Sequence, residues 1–262
     1  MHQLKLVSIG NIIVGGTTKP VNIIALEEDE NHSRYIMKVF KEKYILQNAS
    51  VAKEIICSEL AKEFDLVCPE YGIINVEHDD LINLYDEEIL KSLDTGYKFC
   101  SKFIDQAVIF NPNTTNSFLK DYEFANVFAF DVLIHNVDRG GPHNKPNMLI
   151  TDTELILIDH ELTFPFINNT SQEIDYELYL RIYRYDRHVL IKNLKSLRNK
   201  EGVFDDFIEM LKHLNINKLS IIFDKMNKFN IPFIERQKFM SYFAWAKNNP
   251  DIFERYLKAM LK

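Results

Sequence analysis

A change of hydrophobic rhythm near residue 107 constrains the fold of this chain more than any other feature. Before it, apolar residues come in short β-type runs: residues 3–14, 20–27 and 34–40 are rich in Val, Ile and Leu. The runs are joined by turn-forming stretches, Val14 to Pro20 and Glu27 to Ser33, which predicts an antiparallel meander. One helix interrupts this part, over Ser50 to Phe64, where Ile56, Leu60 and Phe64 recur at helical spacing with Cys57 and Ala61 beside them. Residues 70–76 and 97–104 read as two more strands. After residue 107 an apolar helix runs from Tyr122 to Ile134, followed by a polar, turn-rich stretch over 136–147. Met148–Ile150 and Leu155–Ile158, joined by Thr151–Glu154, form a small hairpin, and from 172 onward the pattern is helical. The expected fold is α+β with two lobes: a β-rich N-lobe over 1–107 and a helical C-lobe over 108–262, with a ligand cleft between them.

Composition narrows the function. With 46% hydrophobic residues, the chain can bury a substantial core and is not a disordered one. A net charge of −7 gives no bulk attraction to nucleic acid or an anionic membrane, so neither is an expected partner. Cys57, Cys68 and Cys100 form no CxxC pair and fit free thiols in a reducing compartment. The opening residues carry no long apolar leader, and no run reaches the roughly 18 apolar residues a membrane span needs. The cytoplasm is the expected location.

The stretch Phe130 to His160, FDVLIHNVDRGGPHNKPNMLITDTELILIDH, carries the chemistry. Asp138 follows a buried helix, Asn147 precedes the first hairpin strand, and Asp159 follows the second. A tight hairpin brings positions 147 and 159 together. Phosphoryl transfer needs such a set: hard oxygen ligands for magnesium, and a separate Asp to orient the attacking hydroxyl and accept its proton. Singly, each is an ordinary turn residue; their order around a hairpin is what gives them weight.

Lys38 stands among apolar neighbours in YIMKVF and can reach nucleotide phosphates if an acid holds it. Two glutamates compete for that role. At about 100° per residue, Glu54 lies roughly 90° from the centre of the apolar stripe and Glu59 roughly 130° away, so Glu54 is the chosen partner. The turn Gly15-Gly16-Thr17-Thr18 can drape backbone N–H groups over phosphates, although a plain hairpin turn explains it equally well.

Taken together, VGGTTKP, YIMKVFK, AKEIICSELAKEFDLVCPEYG, FDVLIHNVDR, NKPNMLI and LILIDHELTF resemble the HipA-like kinase domains, bacterial relatives of the protein kinase and phosphoinositide kinase folds. The resemblance runs from about residue 7 to 166 and continues weakly near the end. It implies an ATP- and Mg-dependent Ser/Thr protein kinase with Asp138 as base and Asn147 and Asp159 as metal ligands. Lys38 would hold the ATP phosphates and Glu54 would hold Lys38. Ser101, Lys102, Phe103 and Ile104 would form the hinge that binds adenine, with Ile36 and Ile158 among its walls. A protein substrate is implied, and an antitoxin partner for those members that are toxins. Thr17 or Thr18 would be an autophosphorylation site. One departure stands out: eight residues separate Asp138 from Asn147, more than in most kinases, so either the loop bulges or Asn144 takes the metal role. Asn147 is favoured because it abuts the strand.

Three other readings compete. A Zn or Fe hydrolase built on His135, His143 and His160 lacks ligand spacing and leaves Lys38 without a role. A pseudokinase that only holds nucleotide or a partner, and a kinase of lipid or small-molecule hydroxyls, share the same residues. The basic-aromatic stretch Tyr179 to Tyr185 and Trp245 read as packed helix without a site role.

Overall fold

Val21, Ile23 and Ala25 are buried and alternate with more exposed neighbours, so this strand turns one face to a core. The computed structural model describes residues 1–14, 18–141, 145–171, 173–233 and 235–262. The strands are β1 (His2–Gln3), β2 (Lys5–Ile12), β3 (Val21–Leu26), β4 (His32–Met37), β5 (Tyr71–Ile74), β6 (Lys98–Lys102), β7 (Val108–Ile109), β8 (Met148–Ile150) and β9 (Leu155–Leu157). The helices are α1 (Glu42–Asn48), α2 (Ser50–Lys62), α3 (His78–Leu81), α4 (Glu87–Ser92), α5 (Asn116–Leu119), α6 (Phe124–Ile134), α7 (Tyr176–Ile182), α8 (Ile191–Lys195), α9 (Asp205–His213), α10 (Ile216–Lys228), α11 (Arg236–Asn248) and α12 (Pro250–Met260).

The chain divides into two compact units. The first holds Met1–Ser58, Pro69–Asp105 and Ile221–Ile234. Its sheet has the order β1-β5-β6-β4-β3-β2, antiparallel except for the β1–β5 pair. The predicted meander is β2-β3-β4. Val21, Ile23, Tyr35, Met37, Ile74 and Cys100 share one buried cluster with Leu81 and Leu90 of the short helices α3 and α4. Cys57 and Cys100 are buried free thiols and Cys68 is half-buried.

α2 corrects the expectation of a single apolar stripe. Ile56 and Leu60 are buried as predicted, but so are Val51, Ala52, Lys53, Glu54, Ile55 and Ser58. A helix enclosed on all sides need not be amphipathic, so its polar positions must find partners inside the protein.

The second unit holds Glu59–Cys68, Gln106–Ser220 and Glu235–Lys262. α6 is its spine: apart from Ala125, every residue from Phe124 to Ile134 is buried, including Asp131. The unit also holds the three-stranded sheet β7-β8-β9. The predicted hairpin is β8–β9, with Met148 opposite Leu157 and Ile150 opposite Leu155. Phe164, Phe166, Tyr176, Tyr242 and Trp245 form a chain of ring contacts, 5.1 Å for Phe164–Phe239 and 5.5 Å for Tyr176–Trp245. Trp245 therefore packs in this aromatic cluster. Among the described residues no helix is long and apolar enough to cross a membrane.

Candidate active site

The loop after α6 is held by its own side chains. His135 ends the helix in the left-handed conformation, with its N–H on the Asp131 and Val132 carbonyls. Asn136 Nδ2 donates to Asp131 Oδ1 at 3.0 Å, and Asn136 Oδ1 accepts from the Asp138 N–H at 3.1 Å. Tyr183 fixes the same turn by donating its hydroxyl proton to the Asn136 carbonyl at 2.7 Å. Asp138 is thereby presented, half-exposed, on a turn with few free degrees of freedom.

Asn147 Nδ2 donates to Asp138 Oδ2 at 2.8 Å. A carboxylate can only accept, so the amide must turn its NH2 toward Asp138, and its oxygen is the atom left to meet a cation. Asn147 and Asp159 both have positive φ, 43° and 65°, values that Asn and Asp tolerate better than most residues. The Ile158 N–H donates to the Asn147 carbonyl at 3.1 Å, which extends the hairpin by one pair and sets Asp159 just past its end. An amide oxygen and a carboxylate are hard donors of the kind magnesium takes, so these residues fit that ion.

Arg139 was not singled out from the sequence, and it organises the site. Its guanidinium is fully buried inside the unit. Nε donates to Asp131 Oδ2, Nη1 donates to the Asn147 carbonyl and at 3.5 Å to the Ile158 carbonyl, and Nη2 lies 3.4 Å from His160 Nε2. The guanidinium thus grips the backbone of Asn147, itself a candidate ligand, and of Ile158, the residue before Asp159. Burial alone would raise the Asp131 carboxyl, but the Arg139 charge and the His188 hydrogen bond outweigh it and hold the group below its ordinary value. His188 is also buried, which lowers its affinity for a proton despite Asp131. Its Nδ1 accepts from the Leu190 N–H at 3.1 Å, so a neutral ring carries its proton on Nε2 and donates it to Asp131 at 2.9 Å. The sequence held one signal for this network: Asp131 is the lone acid in FANVFAFDVLI, and a buried carboxylate needs partners.

The long spacing between Asp138 and Asn147 has a structural answer. Gly140 and Lys145 form a bridge, with the Gly140 N–H on the Lys145 carbonyl at 2.6 Å. This bridge closes the loop across positions 140 and 145, and Asn147 still reaches Asp138. Asn144, the alternative ligand, and His143 lie outside the described residues.

In the other unit, Lys38 lies one residue past β4, and its N–H continues the ladder by donating to the Phe99 carbonyl at 2.9 Å. Its Nζ forms a buried ion pair with Glu54 Oε1. Glu59, the rejected candidate, pairs instead with Lys62 at 3.1 Å. Ile36 is half-buried in β4, and in the second unit Ile158 is half-buried after β9. Ser101 and Lys102 are strand residues of β6, facing Ile36 and Tyr35. The N–H of Lys102 donates to Glu70 and that of Phe103 to Arg34, at 2.7 and 2.8 Å. A backbone donor for adenine would therefore have to come from Ile104 or beyond. Thr18 is a half-buried turn residue; Gly15, Gly16 and Thr17 lie outside the described residues.

The family described as HipA-like kinase matches residues 8–217. The chain belongs to that family. No curated protein matches it. Among solved structures, the Golgi casein kinase is similar over 97% of this chain and 72% of its own, with a TM-score of 0.52 at 11% identity. The same enzyme with Mn/ADP bound gives 0.51 at 10% identity, over 97% of this chain and 73% of its own. At such identity the likeness speaks for the fold, which is protein-kinase-like. Family and fold together make the chain a kinase-like phosphotransferase.

Proposed function

We propose that this chain is an ATP- and Mg-dependent Ser/Thr protein kinase of the cytoplasm. The observation that carries the reading is the Asn147–Asp138 hydrogen bond. It aims a half-exposed carboxylate while leaving the amide oxygen of Asn147 beside the end of the hairpin that bears Asp159. Support also comes from the family match and from the buried Lys38–Glu54 pair, which keeps an ammonium in a fixed position.

In this reading Asp138 accepts the proton of the acceptor hydroxyl as its oxygen bonds to the γ-phosphorus and the bond to the bridging β–γ oxygen breaks. Asn147 Nδ2 orients the Asp138 carboxylate. Asn147 Oδ1 and the Asp159 carboxylate would hold magnesium, which neutralises phosphate charge when bound. Lys38 neutralises nucleotide phosphates, and Glu54 keeps its Nζ from wandering.

The test is incubation with labelled ATP and magnesium, alone and with cell lysate. Wild type should label itself or a protein. Asp138→Ala should lose about 10²–10⁴-fold in transfer while keeping its circular dichroism and its Mg·ATP affinity. Asp159→Ala should instead weaken Mg·ATP binding in calorimetry. Normal turnover by Asp138→Ala would end the assignment, and absent transfer with intact nucleotide binding would favour a pseudokinase.

A further inference from the structure

Residues 181–200 carry seven Lys or Arg against a single Asp, inside a chain whose net charge is −7. The sequence alone suggested only packed helix here. In the structure α7 ends at Ile182, and the stretch that follows is a turn and the short helix α8. His188 and Tyr183 point inward, and the charged residues Arg184, Asp186, Arg187, Lys192 and Lys195 face solvent.

This basic stretch is docked onto the catalytic loop. The Val189 N–H donates to the Arg139 carbonyl at 3.2 Å, and His188 is bound to Asp131. Gly140 passes so close that an added Cβ would sit 2.2 Å from the Arg187 carbonyl oxygen. Beside this contact lies a cavity of about 420 Å³, lined by Asn113, Gly140, Gly141, Asp186, Arg187 and Lys192 among others. Gly140 is two residues from Asp138, so their Cα atoms lie within about 7 Å.

The charges at the cavity are uneven. Asp186 is taken up by Arg184, Nε to Oδ1 at 3.2 Å, and this hydrogen bond holds its carboxyl below the ordinary value. Lys195 lies over the Tyr185 ring. Among the described residues, Arg187 and Lys192 form no ion pair, and both line the cavity. These two cations, Arg187 also acting through space on Asp186, line a cavity shared with Gly140 of the loop that bears Asp138, and they suit a ligand with carboxylates close along the chain from its hydroxyl.

We propose that this cavity docks the acceptor, and that the acceptor is an acidic peptide segment whose Asp or Glu side chains engage Arg187 and Lys192 within a few residues of the phosphorylated hydroxyl. The proposal deepens the kinase reading and rests on it. A peptide is favoured over nucleic acid because only two Lys or Arg side chains among the described residues line the cavity, too few to track a phosphate backbone, and the rest of the chain is net acidic.

Binding can be measured without catalysis. Fluorescein-labelled 12-residue peptides of alternating Ser with Asp or Glu, the same peptides with Asn or Gln, and an oligothymidylate of equal length would be titrated by anisotropy in low salt without nucleotide. The acidic peptide should bind at least 10-fold tighter than the neutral one, and the preference should shrink as salt is added. Arg187→Glu/Lys192→Glu should remove the preference while Mg·ATP affinity stays within twofold. Equal binding of acidic and neutral peptides, tighter binding of oligothymidylate, or a preference that survives the charge reversal would overturn the proposal. If the acidic preference and its loss are observed but wild type transfers no phosphate to the acidic peptide, the acidic-peptide site stands and the kinase reading falls.

Discussion

Lys38–Glu54 and Arg139–Asp131 are both buried ion pairs, and they are built for different ends. Lys38 sits at the end of a strand, and its side chain keeps 11% exposure against 2% for Glu54. It retains a path to solvent or to a ligand. Arg139 and Asp131 have none, with 0% exposure on both sides. Asp131 is also held by Asn136 and His188, and the guanidinium spends its donors on two backbone carbonyls and His160. A desolvated pair stabilises only when its remaining hydrogen-bonding capacity is met inside, and the second pair meets that condition closely. The difference teaches that the pair proposed to meet a ligand is left partly open, while the pair that positions other groups is closed off. Asp138 and Arg139 show the same division between adjacent residues, one half-exposed and one buried.

The comparison can be broken most directly by removing one partner from each pair. Arg139→Ala should cost about 3–5 kcal/mol in urea unfolding, because Asp131 is left charged in the interior. Arg139→Lys should recover only part of this, since one ammonium cannot bond Asp131 and also reproduce the guanidinium's contacts to both carbonyls and His160. Glu54→Gln should cost less than half as much and should show itself mainly as weakened ATP affinity. Equal losses of stability from both sites would erase the distinction. A smaller effect is expected at Gly140, whose φ of 106° and contact with the Arg187 carbonyl leave no room for a side chain. Gly140→Ala should cost roughly 1–3 kcal/mol, read as a lowered Tm.

The last effect is a pH dependence, at most about 2 kcal/mol across the pH 7.5 to 5 window tested. Burial pushes His135 down to about 3, against the ordinary imidazole range. Its ring is surrounded by Phe166, Tyr179, Tyr183 and Tyr242, and among the described residues its Nε2 has no hydrogen-bond partner. The folded protein therefore binds this proton less readily than the unfolded chain. The stability linked to His135 is complete above about pH 6.5 and declines as pH falls toward 3, by at most about 1.4 kcal/mol per pH unit. Urea midpoints between pH 7.5 and 5 should fall in wild type and fall less steeply in His135→Phe. A shallower but nonzero slope should remain there, because His188 is also lowered by burial. Parallel slopes would show that His135 is already accessible to protons.

Much of this was legible in the sequence, and the gaps have physical causes. The meander, α6 and the β8–β9 hairpin announced themselves through period and turn chemistry. Glu54 was chosen from helical angles, though its helix is buried on all sides and the premise of one apolar face was too simple. α1, over Glu42–Asn48, was missed because seven residues give too few turns for a period to appear. Ser101 and Lys102 were read as part of a hinge, but they lie within β6; a strand's end depends on its neighbours' lengths, which local sequence does not encode. Arg139 was invisible because it sits beside two glycines in a polar stretch that reads as surface. The Asp131 carboxylate and the carbonyls of Asn147 and Ile158, the last brought in from 19 positions away, turn it inward.

The bridge between Gly140 and Lys145 fixes both ends of the insert, so the pairing of Asn147 with Asp138 does not depend on a set interval between them in the sequence. A search that demands a fixed interval between the base and the amide would pass over chains built this way, whereas one that allows a clasped insert would recover them.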